Sequence, residues 1–410
     1  MTRLLSEKNP GDGPKMSTVY ERLGVRTILN AAGTLTRLGG TRMAPEVVAA
    51  MAEAAGSLVR IDELQGAAGE IIARQTGAEA GYVTNGASGG LMLGMAACLT
   101  GLDLARMERL PDTRNLPNEV IIARSHRSGY DHALRAVGAR LVEVGLPDPF
   151  PWEIEAAISP RTAAIAFSAG FSPLELSAVC RLASRRGVPV IVDAAAELPP
   201  ATNLRAFIAD GADLVVFSGG KAIGGPQASG ILCGRKPLIA AAALQHWDMD
   251  VLWELFAPPT GLVDRDALAG VPNHGIGRGC KVGKEEIVGL VTALELYVRS
   301  DHDARMRGWE AIVRQISDDL ANLPGVAVST LRRPGGVPCV RLSWPDSDAG
   351  HQALATARAL QEGDPPVHLV ENGVRQGLLD INPVNLTDDE AAIVTRRVRE
   401  EVGRLPHRAP

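Results

Sequence analysis

The sequence lacks the features of membrane-bound and exported proteins. It contains no apolar run that approaches the roughly 18 consecutive residues needed for a membrane span. Its N-terminal residues do not combine a basic start with an apolar segment, as a signal peptide does. It also contains no internal repeat and no low-complexity block. We therefore expect a cytoplasmic protein with no membrane partner.

A strong excess of either charge is also absent. The sequence has 42 Lys and Arg residues against 47 Asp and Glu residues, which gives a net charge of −5 at pH 7. Proteins that bind nucleic acid usually carry clustered basic residues and have a high isoelectric point. We therefore expect no nucleic-acid partner.

Cysteine is scarce and scattered along the chain. The number of cysteines is odd, and no pair has the spacing of metal ligands. This pattern favours free thiols in a reducing compartment and predicts no metal site. The cysteines are Cys98, Cys180, Cys233, Cys280 and Cys339.

The length and the order of the apolar segments predict an α/β protein with more than one domain. The chain has 410 residues, of which 46% are hydrophobic, and this size is typical of two or three domains. Short apolar strands alternate with helices as far as Asp250, and an α+β pattern occupies residues 305–410. We predict an N-terminal tail and arm at 1–40, in which residues 1–16 are mobile. A large domain at 41–285 follows, and then a connector helix and a small C-terminal α+β domain at 286–410.

The stretch Asp213–Gly230, DLVVFSGGKAIGGPQASG, carries the most specific local pattern. Its apolar run Leu214–Phe217 is followed at once by Ser218 and two glycines, which is typical of a buried parallel strand that ends at the edge of a sheet. Lys221 comes directly after these glycines. Partial desolvation lowers the pKa of a lysine and makes its amine nucleophilic, as Schiff-base chemistry requires. The alternative is an ordinary surface lysine in a loop between a strand and a helix.

A second buried-strand run, Gly187–Ala196, contains Asp193 at the end of its apolar part. About one helix and one strand separate Asp193 from Lys221, so a right-handed crossover would bring both residues to the same sheet edge. A lysine and a carboxylate there suit pyridoxal phosphate (PLP). The lysine holds the aldehyde as a Schiff base, and the carboxylate keeps the pyridine nitrogen protonated. A nucleotide-binding P-loop is less consistent, because Ala222 follows the lysine where that motif has Ser or Thr.

A third segment, Ala80–Leu91, passes from a short strand through small residues into an apolar helix. Helix N-termini carry free N–H groups and a partial positive charge, so they bind phosphate. Gly86, Ala87 and Ser88 are therefore the candidate phosphate ligands. The alternative is an ordinary helix N-cap packed with small residues.

These segments, taken with others along the chain, resemble a known enzyme family. The set resembles the fold type I PLP enzymes, which are aspartate-aminotransferase-like. It resembles most closely the branch that contains bacterial selenocysteine synthase (the seryl-tRNA selenium transferase) and D-glucosaminate-6-phosphate ammonia-lyase. The matching stretches are Ile28–Thr34, Val83–Ser88, Asp193–Ala195, Ser218–Lys221 with Gly224–Gln227, Ile276–Arg278 and Lys281–Glu286.

The resemblance implies an aspartate-aminotransferase-like fold, with a mainly parallel sheet in a large PLP-binding domain and a smaller α+β C-terminal domain. It also implies a homodimer or higher homo-oligomer with active sites at the subunit interface. In this family a ring that follows the strand at 120–124 commonly stacks on the cofactor, and His126 is the candidate here, with Tyr130 as the runner-up. The other residues that the resemblance assigns are Ala195 and Ser218 for the cofactor and Thr36, Arg37, Arg278 and Arg375 for the substrate.

The resemblance also predicts the type of reaction. The substrate amine would displace Lys221 from the cofactor, and the freed lysine would remove the α-proton. We expect a PLP-dependent lyase that catalyses α,β-elimination on a small hydroxylated amino acid or an amino-sugar acid. Aldol cleavage, racemisation and selenium transfer are alternatives, as is a non-catalytic PLP-fold binding protein, against which the presence of both Lys221 and Asp193 argues. We expect Glu197 to be a surface carboxylate rather than an acid–base group, and residues 169–173 are candidates for lining the substrate pocket.

Overall fold

The computed structural model describes residues 18–170, 173–345 and 347–404. The tail predicted at 1–16 and two candidate pocket residues, 171 and 172, lie outside the described residues. The helices of these three ranges are all too short or too polar to span a membrane.

The described elements follow one another along the chain as strands, helices and short 3₁₀ turns. The strands are β1 (Leu29–Ala31), β2 (Ala80–Asn85), β3 (Glu119–Ala123), β4 (Arg140–Val144), β5 (Thr162–Ser168), β6 (Val190–Asp193), β7 (Leu214–Ser218), β8 (Ser229–Gly234), β9 (Ala327–Arg332), β10 (Pro338–Ser343), β11 (Val367–Leu369) and β12 (Leu378–Ile381). The helices are α1 (Val19–Arg22), α2 (Pro45–Ala55), α3 (Ile61–Thr76), α4 (Gly86–Thr100), α5 (Leu104–Arg109), α6 (His132–Arg135), α7 (Pro151–Ala157), α8 (Leu176–Arg185), α9 (Asn203–Ala209), α10 (Lys236–His246), α11 (Lys284–Arg299), α12 (His302–Leu320), α13 (Ala349–Glu362) and α14 (Asp388–Gly403).

The larger of two compact units contains Gly39–His302 together with Pro334–Gly336. At its centre the described residues form a seven-stranded sheet in the order β2-β8-β7-β6-β5-β3-β4. Of these seven strands, β8 runs antiparallel to both of its neighbours, and the other six run parallel to one another. The alternation of strands and helices in the sequence produces this arrangement, because a parallel neighbour requires a long crossover connection.

Helices cover both faces of this sheet. The central strands β6 and β7 are apolar over almost their whole length, and Ile191, Val192, Val215 and Val216 are at most 1% exposed. Consecutive strand residues point to opposite faces. Accordingly, Ile191 and Val216 belong to one apolar core and Val192 and Val215 to the other. Burial on both faces is why these strands read as continuous apolar runs in the sequence.

The smaller unit contains the described residues as far as Leu38, then Asp303–Arg333 and the described residues from Val337 onward. It has a three-stranded antiparallel sheet in the order β12-β10-β9 and a separate parallel pair formed by β1 and β11. Leu29 and Val367 are register partners in that pair. The core of this unit includes Ile316, Leu320, Val340, Leu342, Ala353, Leu360, Ile381, Val394 and Val398.

Helix α11 lies with the large unit, whereas the sequence-based division placed it at the start of the C-terminal part. Its side chains Leu290 and Leu294 are fully buried in the same core as Val47 of α2 and Ile72 of α3. This burial keeps the helix with the sheet unit. The segment before Leu38 belongs instead to the small unit, because β1 pairs with β11.

Candidate active site

The parallel strands of the large unit bring most of the candidate residues to one edge of the sheet. Because β5, β6 and β7 are parallel neighbours, their last residues, Ser168, Asp193 and Ser218, lie at the same edge. Ser168 and Asp193 are register partners. His126 follows β3 and Gly86 follows β2, and both strands run in this same direction.

The Asp193 carboxylate is half-buried at this edge. Its Oδ1 accepts a hydrogen bond of 3.0 Å from the backbone N–H of Ala195. Desolvation by burial raises the pKa of Asp193, and the Ala195 hydrogen bond and the nearby Lys221 oppose this shift. The hydrogen bond and Lys221 do not fully offset the cost of burying the negative charge. A carboxylate in this position favours a cationic partner.

Close backbone packing positions Lys221. A Cβ atom added at Gly219 would lie 2.2 Å from Oγ of Ser229, and one added at Gly220 would lie 2.5 Å from Cα of Gln227. No larger residue fits at either position without moving the loop. The backbone N–H of Gly219 donates to the carbonyl of Ser229 at 2.9 Å, which ties the loop to β8. The two glycines therefore hold the lysine where the strand ends.

Burial also changes the chemistry of Lys221. Desolvation lowers the pKa of its amine, and the carboxyl groups of Asp193 and Glu197 oppose that shift. The electrostatic effect is mutual, because Lys221 also acts on both carboxyl groups. A larger share of this amine is unprotonated near neutral pH than in an exposed lysine, as a nucleophile requires.

His126 is buried, with 1% of its surface exposed. Its Nδ1 accepts a hydrogen bond of 3.2 Å from the backbone N–H of Ser168, which places the proton of the neutral ring on Nε2. Burial lowers the pKa of His126, so the ring is neutral at pH 7. The imidazole packs edge-on against Phe167, with 4.7 Å between ring centroids, and it lines one small cavity with Asp193. Tyr130, the runner-up, lines the same cavity but is 68% exposed.

Helix α4 begins at this edge with an uncapped N-terminus. The Asn85 side chain makes no capping hydrogen bond. The N–H of Gly86 donates to the carbonyl of Ala228 at 3.1 Å, which leaves the next N–H groups, of Ala87 and Ser88, as the donors of the first turn. Gly86 has a positive φ of 64°, and a Cβ added there would meet no atom of the described residues within 4 Å. Open space next to unpaired N–H groups suits an anion.

The chemistry of this edge fits the predicted cofactor. The uncapped helix offers donors to a phosphate, and Lys221 offers an amine to an aldehyde. Asp193 offers a carboxylate to a ring nitrogen, and His126 offers a flat neutral ring. The sequence predicted these residues separately, and the fold places them at one edge of the sheet, after β2, β3, β6 and β7.

Glu197 differs from its expected place on the surface. It is half-buried, and desolvation raises the pKa of its carboxyl, with Asp193 acting in the same direction. Both of its carboxylate oxygens would lie 2.8 Å from a Cβ added at Gly170. Room for the carboxylate therefore depends on a glycine in a different loop. The signal in the sequence was its position four residues after Asp193, in the same strand-end turn.

Arg278 lies in the large unit but lines a different cavity. Its guanidinium donates to Asp248 and contributes to a cavity of about 540 Å³. The same cavity is lined by His246, Trp247 and Lys281. A role for Arg278 toward the substrate stays a prediction.

The other three substrate candidates, Thr36, Arg37 and Arg375, lie in the small unit. The Arg37 guanidinium donates to the Glu371 carboxylate at 3.0 Å and is exposed, and Arg375 is exposed in a 3₁₀ turn. Thr36 opens the 3₁₀ turn that contains Arg37. Their roles also stay predictions.

Sequence reasoning missed a buried ionic cluster in the small unit. Asp380, which is 3% exposed, accepts hydrogen bonds from Arg341 at 2.7 and 3.0 Å, and Arg333 also donates to it. One carboxylate thus balances two guanidinium groups. No local sequence pattern indicates this cluster, because the three residues come from three separate segments.

Comparison with known proteins gives a family match over most of the chain. The family model "SelA: L-seryl-tRNA selenium transferase" matches residues 28–248. The chain is 32% identical to D-glucosaminate-6-phosphate ammonia lyase of Salmonella typhimurium, and the alignment covers 93% of this chain and 97% of that protein. It is 31% identical to the 5'-C-glycyluridine monooxygenase-decarboxylase of a Streptomyces species, with 93% and 91% covered. The solved structure of D-glucosaminate-6-phosphate ammonia-lyase matches with a TM-score of 0.77 at 31% identity, covering 95% of this chain and 99% of that chain.

These matches confirm four of the predictions made from the sequence: the family, the aspartate-aminotransferase-like fold, the PLP cofactor and an enzymatic role. The two relatives carry names of different reactions at nearly equal identity. Membership of the family therefore does not by itself determine which reaction a protein catalyses. The chain belongs to the L-seryl-tRNA selenium transferase (SelA) family, within the fold type I PLP-dependent enzymes.

Proposed function

We propose that this chain is a PLP-dependent lyase that catalyses α,β-elimination on a small hydroxylated amino acid or an amino-sugar acid, with release of ammonia. The observation that carries the proposal is the half-buried Lys221 amine, coupled to the Asp193 carboxyl at the sheet edge where helix α4 begins uncapped. Similarity over 93% of the chain to a protein named as an ammonia lyase favours elimination among the reactions that PLP supports.

Lys221 is the catalytic base in this proposal. Its lowered pKa keeps part of the amine unprotonated near pH 7. The unprotonated amine would hold the cofactor through its aldehyde, and it would later act as the base that takes the proton from the substrate α-carbon. The carboxyl groups of Asp193 and Glu197 then stabilise the ammonium that results.

The remaining residues at the sheet edge hold the cofactor. When bound, PLP supplies a protonated ring that accepts electrons from the substrate carbon next to the amine. Asp193 would hold the ring nitrogen, and His126 would cover one face of the ring. The N–H groups of Ala87 and Ser88 would donate to the phosphate.

Three further residues shape this cofactor site through the backbone. Ala195 fixes the orientation of the Asp193 carboxylate through its N–H. Ser218 ends the strand that leads to the lysine loop, and Gly86 leaves open space in front of helix α4.

Substrate recognition and assembly complete the proposal. Arg37, Arg278 and Arg375 bind the anionic groups of the substrate, because guanidinium groups suit carboxylates and phosphates. The Thr36 hydroxyl donates a hydrogen bond to the substrate. The protein is a cytoplasmic homodimer or higher homo-oligomer with active sites at the interface.

The surroundings of Arg278 support the proposed interface. Leu255 also lines the Arg278 cavity, and it is 70% exposed. The nearby Leu252 is 67% exposed. Clustered exposed apolar side chains are typical of a protein–protein contact.

Cofactor attachment is the first test. The purified protein should be yellow, and borohydride should remove the visible band and leave the cofactor label on the peptide that contains Lys221. The Lys221→Ala variant should lose the label and all turnover. Lys236→Ala removes an exposed lysine of the same unit and should keep both. A colourless protein that ignores added PLP would support the non-catalytic alternative.

The reaction itself is the second test. A panel of β-hydroxy amino acids and amino-sugar acids is assayed for keto-acid and ammonia release, with oxygen uptake and carbon dioxide release followed in parallel. Elimination predicts keto acid and ammonia in equal amounts without oxygen uptake. Oxygen-dependent decarboxylation without ammonia would instead favour the activity named for the Streptomyces relative.

A further inference from the structure

The turn after β6 fixes the position of Glu197. Its backbone N–H donates to the carbonyl of Ala194 at 3.2 Å, and its carbonyl accepts from the side-chain amide of Asn203 at 2.7 Å. The backbone is therefore held on both sides of the residue. The Cα–Cβ direction of Glu197 therefore follows from this turn.

The Glu197 carboxylate lies against Gly170, just beyond the end of β5. Both carboxylate oxygens would be 2.8 Å from a Cβ at that position, and Gly170 has a positive φ of 77° that favours glycine. Ser168 at the end of β5 is the register partner of Asp193. Glu197 thus faces the same pair of strand ends that carries the cofactor residues.

This carboxylate has no hydrogen-bond donor and no salt bridge within residues 18–170, 173–345 and 347–404. The charged groups that act on it there are Asp193 and Lys221. Burial and the Asp193 charge raise the pKa of its carboxyl. A half-buried carboxyl group without a fixed partner among those residues, next to the proposed catalytic lysine, is free to exchange a proton.

We propose that Glu197 is a second catalytic residue, the acid that protonates the leaving β-oxygen of the substrate. This inference rests on the proposed elimination. Lys221 accepts the proton from the α-carbon, and the electron pair of that C–H bond forms the Cα–Cβ double bond. The Cβ–O bond breaks, its electron pair stays on oxygen, and the proton of the Glu197 carboxyl converts the departing group to water. Glu197 leaves the step as a carboxylate, and the next proton comes from solvent.

The division of labour has a chemical reason. Hydroxide is a poor leaving group, so breaking the C–O bond needs a proton at the oxygen, and Lys221 is occupied with the α-proton at that moment. A positioned general acid typically contributes about 10²–10⁴-fold to a rate. A chloride leaving group needs no such proton.

The test compares two leaving groups on one carbon skeleton. Serine and β-chloroalanine, in the configuration that the wild type accepts, are assayed for pyruvate with wild type, Glu197→Gln, Glu197→Asp and the exposed control Glu53→Gln. We expect Glu197→Gln to lose about 100-fold or more in kcat on serine and less than about threefold on β-chloroalanine. Glu197→Asp should recover part of the serine activity, and Glu53→Gln should match wild type on both. Equal losses on the two substrates, or no loss on serine, would overturn the role of Glu197.

A second readout does not depend on turnover. In the holoenzyme the visible absorption band is titrated with pH. At pH values where the Glu197 carboxyl has lost its proton, its negative charge favours the protonated form of the Lys221 nitrogen, so Glu197→Gln should lower the pH midpoint relative to wild type and Glu53→Gln. An unchanged midpoint would contradict the proximity on which the proposal depends.

The two proposals fail in different ways. If wild type releases pyruvate from neither substrate and no member of the wider panel yields a keto acid, the elimination reaction is wrong and the role of Glu197 falls with it. If wild type eliminates from both substrates and Glu197→Gln loses kcat equally on each, the proposed elimination is kept and another group is the acid.

Discussion

Replacing Gly230 by alanine tests whether the start of helix α4 holds the cofactor phosphate. A Cβ at Gly230 would lie 2.3 Å from the carbonyl carbon of Gly86 and 2.7 Å from the nitrogen of Ala87. Strand β8 is hydrogen-bonded on both sides, to β2 and β7, so Gly230 cannot move away from the helix. The first turn of α4 has to shift instead, and with it the N–H groups proposed to bind phosphate.

The expected magnitude follows from the size of this clash. Overpacking a well-packed site typically costs about 1–3 kcal/mol. Displacing the helix start relieves most of that cost in the apo-protein, and PLP binding has to restore it. PLP affinity should therefore fall by about 5- to 100-fold, because about 1.4 kcal/mol corresponds to a factor of ten. The matched control is Gly89→Ala in the same helix. A Cβ there would lie 3.5 Å from Cβ of Asn85, an ordinary contact, and alanine stabilises a helix interior relative to glycine by up to about 1 kcal/mol.

The assay is a titration of the apo-protein with PLP, followed by visible absorbance, with thermal unfolding of each apo variant measured by circular dichroism. Gly230→Ala should remain folded and bind PLP weakly, whereas Gly89→Ala should bind as wild type does. A folded Gly230→Ala variant with wild-type PLP affinity would refute the assignment of the phosphate to this helix end. An equal loss in Gly89→Ala would refute it as well.

Three further predictions concern single side chains. His126→Phe should keep PLP affinity within about threefold and His126→Ala should lower it by about tenfold, because in the proposed site a flat, neutral ring covers the cofactor; the same PLP titration checks this. Asp193→Asn should abolish turnover and leave the apo-protein at least as stable as wild type at pH 8. Because burial raises the folded-state pKa of Asp193, its contribution to stability is present at low pH and lost as the pH rises, so the two melting temperatures should converge below about pH 4. Asp380→Asn should lower the free energy of unfolding by about 2 kcal/mol in urea, because Arg341 loses its buried partner. Glu310→Gln, which removes an exposed ion pair, should change that free energy by less than about 0.5 kcal/mol.

The positions of the candidate cofactor residues could be predicted because their signals are local. Lys221 follows an apolar run and two glycines, and Asp193 closes a similar run one crossover earlier. Because buried parallel strands end at a sheet edge, the two patterns also predicted that Lys221 and Asp193 lie at the same edge. The same reasoning predicted that a strand ends and helix α4 begins at the small residues Gly86, Ala87 and Ser88.

The features that the sequence did not predict depend on contacts between distant segments. The burial of Glu197 requires a glycine with positive φ at position 170, and nothing near Glu197 in the sequence shows this. Arg278 pairs with Asp248, and that contact forms only once α10 and the following loop have folded. The attachment of α11 to the large unit is also tertiary, since its apolar face matches the sheet core rather than any nearby segment.

The pairing of β1 with β11 bears on how the protein is made. Leu29 leaves the ribosome well before its register partner Val367, which follows it by 338 residues along the chain. The segment Gly39–His302, which supplies almost all of the large unit, is contiguous and can fold in the meantime, because domains generally fold as units during synthesis. A nascent chain stalled between α11 and β11 should therefore carry a folded large unit. Its β1 strand would still be unpaired, with an open edge that is prone to wrong pairing.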